Sequence, residues 1–120
     1  MIYIIDDNNS VRRSFEILFA AAGFECKSFS GAKEFLDEYE PSESDILLLD
    51  IHMPDMDGCE LLKILKEKKI NIPVITITAY DEEESRQYAK EYGVIDYLIK
   101  PVDGESLIEL ISSKIKRSSF

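Results

Sequence analysis

Cysteine is scarce in this chain, with Cys26 and Cys59 the only two among 120 residues. Two thiols in segments that read as a strand and a helix exclude a disulfide framework and suit small, reduced, buried residues in a reducing cytosol. Histidine occurs once, as His52, so there is no partner at ligand spacing for an imidazole metal site. Basic residues are outnumbered, 14 Lys and Arg against 24 Asp and Glu, for a formal charge of −10. That balance excludes electrostatic binding to nucleic acid or anionic lipid, and a DNA-directed role would need another chain or module. Long apolar runs are missing too. Met1-Ile2-Tyr3-Ile4-Ile5 meets Asp6-Asp7 at once, too early for a signal-peptide core or a membrane span, so the expected location is the cytoplasm. No repeat or low-complexity stretch interrupts the pattern.

What is present alternates. Ile2 to Ile5, Phe24 to Phe29, Ile46 to Leu49, Val74 to Ile77 and Ile95 to Ile99 are short runs rich in β-branched, Leu and aromatic residues, and read as strands. Ile46-Leu47-Leu48-Leu49 carries no polar alternation, as a central parallel strand covered on both faces requires. Helix-period segments lie between them. The first places Val11, Phe15, Leu18 and Ala22 on one face and Arg12, Arg13 and Glu16 on the other, and Gly23 stops it. The others run over about 31–39, 58–68, 82–92 with Gly93 closing, and 103–116, with Asp103 placed to cap the last. Five βα units imply right-handed crossovers and a doubly wound parallel α/β sheet. At this length one domain, 1–120, is expected. Pro41-Ser42-Glu43-Ser44 reads as a plain surface loop, and about 116–120 as a frayed end or the start of a linker.

The polar residues with chemical potential sit at strand ends, and in a parallel α/β sheet the carboxyl ends of the strands form the ligand-binding edge. Asp6 and Asp7 end the first strand and Asp50 the third. One Asp there, or Asn8 or Asn9, could be a helix cap, but three carboxylates at one edge repel unless a cation lies among them. Mg²⁺ suits such a set, since it accepts two or three carboxylates, a carbonyl and waters. Asp7 and Asp50 are the expected direct ligands, with Asp6 acting through water. Met53, Pro54 and Met56 break the oxygen spacing of an EF-hand loop, and 53–58 supplies turn chemistry leading into a helix. Thr78 leaves the fourth strand where its hydroxyl can reach a phosphoryl oxygen, whereas Thr76 reads as an ordinary strand residue. Lys100 closes the fifth strand and can offset the carboxylates, and Pro101 behind it raises a cis peptide bond. His52 is expected to be a solvent-exposed loop residue that contributes its backbone carbonyl.

Taken together, Asp6-Asp7, the run from Asp50 to Gly58, Thr78-Ala79 and Lys100-Pro101 resemble the receiver domain of two-component response regulators, the CheY-like family, over essentially the whole chain. The resemblance implies a flavodoxin-like (βα)5 fold with strand order 2-1-3-4-5 and helices on both faces. It implies Asp50 as phosphoacceptor, with Mg²⁺ held by Asp6, Asp7, Asp50 and the His52 carbonyl. Thr78 becomes the switch hydroxyl, Lys100 and the Ala79 N–H contact the phosphoryl group, and Lys100-Pro101 is cis. Tyr97 falls at the switch-aromatic position, and His52 and Tyr80 at two positions that tune hydrolysis of the aspartyl phosphate.

The implied partners are a histidine kinase or phosphotransfer protein upstream, and an output domain, effector or second copy on the face of the fourth helix, fifth strand and fifth helix. Three rival readings are weighed against this. An Asp-nucleophile phosphatase of the haloacid-dehalogenase type would carry a second Asp where His52 stands, and a cap domain the chain has no room for. A flavodoxin-like FMN carrier would need Ser, Thr and Gly where Asp6-Asp7-Asn8-Asn9 would repel its phosphate. A pseudo-receiver that only mediates contacts would lack site residues that this chain retains.

Overall fold

A computed structural model describes residues 1–53 and 56–115, so Pro54, Asp55 and the expected linker at 116–120 lie outside the described residues. Strands β1 (Ile2–Ile5), β2 (Cys26–Phe29), β3 (Ile46–Asp50), β4 (Val74–Thr78) and β5 (Asp96–Ile99) alternate with helices α1 (Asn9–Ala21), α2 (Ala32–Glu38), α3 (Gly58–Glu67), α4 (Glu83–Tyr92) and α5 (Gly104–Lys114). All pairings are parallel and the order is β2-β1-β3-β4-β5, the doubly wound, flavodoxin-like arrangement.

The apolar pattern explains why helices cover both faces. Along β3, Leu47 and Leu49 join Ile5, Phe29, Phe35, Leu61, Leu62 and Leu65 in one core, with Tyr88 and Tyr92 of α4 at its margin. Ile46 and Leu48 join Phe15, Phe19, Ile75, Ile77, Leu107 and Ile111 on the opposite face. Period-two side chains thus feed two cores from one strand, α2, α3 and α4 covering one and α1 and α5 the other. Each large apolar residue so buried contributes about 1.5–3 kcal/mol relative to exposure.

Local signals set the helix ends. Asn8 Oδ1 accepts from the Ser10 and Val11 backbone N–H groups, Asp57 caps α3 through the Glu60 N–H, and Asp103 caps α5 through the Ser106 N–H. Gly23 and Gly93 follow α1 and α4 at φ of 85° and 88°, the left-handed region that side chains disfavour.

Two expectations hold with added detail and two need correction. The expected apolar face of α1 packs on the core, Phe15 buried and Val11 and Leu18 half-buried against it, and Phe19 joins them as a second buried residue. β2 starts at Cys26 and not Phe24, because the Phe24 N–H is taken by the Phe19 carbonyl in the turn that closes α1. Cys26 and Cys59 are free, but each is half-buried and not a core residue. The 41–44 loop is exposed, as expected, and is anchored at Asp45, whose buried carboxylate accepts hydrogen bonds from the Tyr39 hydroxyl and from the Ser42 N–H and hydroxyl.

Candidate functional site

Strand register brings the polar strand ends level. Ile5 pairs with Leu49, which sets Asp6 beside Asp50; Asp50 pairs with Ile77, and Thr78 with Ile99, which sets Lys100 at the same edge. Residues separated by more than ninety positions in sequence thereby share a pocket, with Lys100 Nζ 3.1 Å from Asp6 Oδ2 and 3.7 Å from Asp50 Oδ2.

Asp6 is fully buried and Asp50 nearly so, whereas Asp7 faces solvent. Carboxylate oxygens of all three lie within 4.8 Å of one another. Asp6 Oδ1 accepts from the Asn8 N–H at 2.9 Å, and Asp50 Oδ1 from the His52 N–H at 3.2 Å. Burial first, then the charge of Asp6, pushes the Asp50 carboxyl up to about 6, against the opposing pull of Lys100 and the His52 N–H. One ammonium does not balance three clustered acids. The hard-oxygen donor set, its spacing and this uncompensated charge fit a small divalent cation such as Mg²⁺. Asp6, for which a water-mediated contact to the cation is expected, points into the cluster as the partner of Lys100.

Thr78 is fully buried at the end of β4, and its hydroxyl is engaged locally, donating to the Tyr80 carbonyl at 2.9 Å and accepting from the Tyr80 N–H at 3.0 Å. Ala79 is exposed at the pocket rim. Thr76 keeps its expected structural role, donating to the Asp96 carbonyl across to β5 at 3.3 Å. The Lys100-Pro101 bond is cis.

His52 corrects the expectation of a free loop residue. Its ring is half-buried, Nε2 lies 3.0 Å from Glu82 Oε1, and it meets the exposed Tyr80 ring edge-on with centroids 5.5 Å apart. Tyr97 on β5 is half-buried, with its hydroxyl enclosed beside the Glu82 backbone and no completed hydrogen bond; burial above all raises its phenol. The Cys59 thiol on α3 is pushed up to about 11, mainly by burial.

Sequence reasoning missed the supporting cations. Arg12 Nη1 donates to the Asp6 carbonyl at 2.7 Å, and Arg86 stacks over the Tyr97 ring at 4.7 Å. Arg12 reads as part of the polar face of α1, and an Arg on a charged helix carries no motif; only the packing of the helix against a particular strand reveals either role.

Fold, strand order and an acidic cluster at the carboxyl edge define a CheY-like α/β receiver architecture. The chain belongs to the response regulator receiver domain family, whose model matches residues 2–112. It is 38% identical over 114 residues to the DNA-binding transcriptional regulator NtrC of Proteus hauseri, covering 95% of this chain and 24% of that protein. It is 36% identical over 110 residues to the transcriptional regulatory protein FixJ of Rhizobium meliloti, covering 92% and 54%. The chain therefore spans about a quarter to a half of the length of these curated relatives. Among solved structures, the CheY-like receiver domain protein of Methanospirillum hungatei superposes with a TM-score of 0.85 at 30% identity, covering 94% of this chain and 90% of that one. Among the described residues, no helix is long and apolar enough to cross a membrane.

Proposed function

We propose that this chain is a phospho-accepting receiver module of a two-component phosphorelay, with residues 1–120 acting as one domain in the cytoplasm and Asp50 as acceptor. The observation that carries the reading is the convergence of Lys100 Nζ on the carboxylates of Asp6 and Asp50 at the carboxyl edge of the sheet.

In the proposed reaction an Asp50 carboxylate oxygen attacks the phosphorus of a kinase phosphohistidine, the P–N bond breaks, and the imidazole departs with the bonding pair. Asp6, Asp7, Asp50 and the His52 carbonyl would hold Mg²⁺, which when bound supplies positive charge to the phosphoryl oxygens. Lys100 adds its ammonium to the same oxygens, and the Ala79 N–H at the rim contributes a neutral donor. Release of Lys100 from Asp6 toward the new anion is part of the rearrangement. Thr78 exchanges its Tyr80 backbone bonds for a phosphoryl oxygen, and the space it leaves admits Tyr97. Two pre-existing arrangements of the α4-β5-α5 face are thereby reweighted. That face would engage an output domain, an effector or a second copy of the chain; the first is supported by NtrC and FixJ being transcriptional regulators that extend well beyond the matched region. His52 and Tyr80, whose rings meet at the rim, would set the access of water to the aspartyl phosphate.

The test is intact mass after incubation with acetyl phosphate, with and without Mg²⁺, followed by peptide mapping. One alkali-labile phosphoryl group, Mg²⁺-dependent and mapped to Asp50, is the expected result. An adduct that persists in Asp50→Asn would move the acceptor elsewhere, and a protein that takes neither phosphoryl group nor beryllofluoride would be a contact module only.

A further inference from the structure

Arg86, in the first half of α4, makes two contacts that belong to different elements. Its Nε and Nη2 form a fork on the two carboxylate oxygens of Asp81, at 2.5 and 3.0 Å, in the loop between β4 and α4. The same guanidinium lies 4.7 Å over the ring of Tyr97 on β5. Asp81 directly follows Tyr80, whose backbone N–H and carbonyl both hold the Thr78 hydroxyl. A planar cation that pairs with a carboxylate through its edge while its face covers an aromatic ring fixes both partners at once. The clasp adds an anchor where α4 has no side-chain cap, its N-cap Glu82 making no capping hydrogen bond. Beside the clasp a groove of about 380 Å³ opens, lined by Arg86, Gln87, Lys90, Val94 and Tyr97, so the position of the Tyr97 ring shapes the surface between α4 and β5.

We infer that Arg86 is a positioning residue that clasps the Asp81 loop to Tyr97 and holds the receiver in its resting arrangement. The inference rests on the proposed receiver function and deepens its regulation. In the arrangement seen here Thr78 is committed to Tyr80, so the clasp stabilises the state in which the hydroxyl is withheld from the acceptor pocket. Inward movement of Tyr97 slides its ring from under the guanidinium, and movement of the loop toward the pocket draws Asp81 from the fork. Breaking the clasp lowers the cost of both. When the binding-competent state is a minor one, destabilising the major state tightens apparent binding by the same factor.

The test titrates beryllofluoride, a phosphoryl mimic, into Mg²⁺-loaded wild type, Arg86→Ala, Arg86→Lys and Asp81→Asn, following the aromatic resonances of Tyr97. Arg86→Ala is expected to lower the half-saturating concentration by about two- to fivefold, the effect of losing one exposed cation–π contact. It should also move the Tyr97 resonances of the mimic-free protein toward their mimic-bound positions. Asp81→Asn should do the same more weakly, and Arg86→Lys, which keeps charge without the fork, should fall between Ala and wild type. An unchanged or raised midpoint in Arg86→Ala, with wild type binding normally, overturns the clasp and leaves the receiver reading standing. Wild type that binds no beryllofluoride overturns the receiver reading, and the clasp with it.

Discussion

Lys100 stands closer to Asp6 than to Asp50, 3.1 Å against 3.7 Å, although Asp50 is the residue proposed to receive the phosphoryl group. Both carboxylates are buried, so each gains from a nearby cation, and Lys100 is placed to serve both. Lys100 thus serves the resting fold and the proposed chemistry in turn. Lys100→Met is expected to destabilise the metal-free protein by about 1–3 kcal/mol, below the full cost of breaking a buried pair because Lys100 is partly solvated. The loss should shrink when Mg²⁺ is added. Urea denaturation with EDTA and with Mg²⁺ checks both statements; an equal loss in the two conditions would contradict the shared charge balance.

The raised carboxyl of Asp50 sets a pH dependence. Its folded value of about 6 lies above the 3.8 of an unperturbed Asp, so the protonated form is favoured by folding. The resulting stabilisation is fully present below about pH 4 and is lost as pH rises through about 6. Asp50→Asn removes this titration. In EDTA, wild type should therefore lose about 1–3 kcal/mol relative to the Asn variant between pH 4 and pH 7. Paired denaturation curves across that range measure it, and a constant difference would mean that folding leaves this carboxyl unshifted.

Thr78→Ala separates acceptance from response. The hydroxyl is fully buried and bonded to the Tyr80 backbone on both sides, so its loss frees the loop without touching the carboxylates. Acetyl phosphate should still label Asp50, while the Tyr97 resonances should no longer follow labelling. Stability should fall by about 1–2 kcal/mol as a buried methyl group and the hydroxyl's bonds are lost. Equal Tyr97 shifts in wild type and variant would remove Thr78 from the switch.

Gly58 opens α3 hard against the end of β3, where a Cβ would sit 2.8 Å from Ile51 Cα, 3.1 Å from the Asp50 carbonyl and 3.3 Å from Leu49 Cγ. Its N–H donates to the Ile51 carbonyl at 2.8 Å, so helix and strand cannot simply part. Gly58→Ala should cost about 1–3 kcal/mol through this overpacking and should slow labelling of Asp50, whose backbone is one of the obstructed groups. Chemical denaturation and the labelling rate test the two effects separately; a neutral substitution would show that the junction can relax.

Much of this was legible in the chain itself because the signals are local. β-branched runs alternating with period-3.6 segments determine five βα units, and an unbroken apolar β3 determines a sheet covered on both faces. Capping at Asp103 and helix termination at Gly23 and Gly93 depend only on nearby backbone geometry. The convergence of Asp6, Asp7, Asp50, Thr78 and Lys100 was also readable, since strand ends in a parallel sheet share one edge. Tertiary structure decided what depends on distance and orientation. It chose Asp6 over Asp50 as the nearer partner of Lys100, drew His52 from solvent onto Glu82 and Tyr80, and turned the Thr78 hydroxyl toward Tyr80. It also laid Arg86 across Asp81 and Tyr97. A sequence pattern states which faces are apolar, whereas a charged side chain takes its partner from whatever the packed elements bring within reach. That is a property of the assembled fold, and no local spacing encodes it.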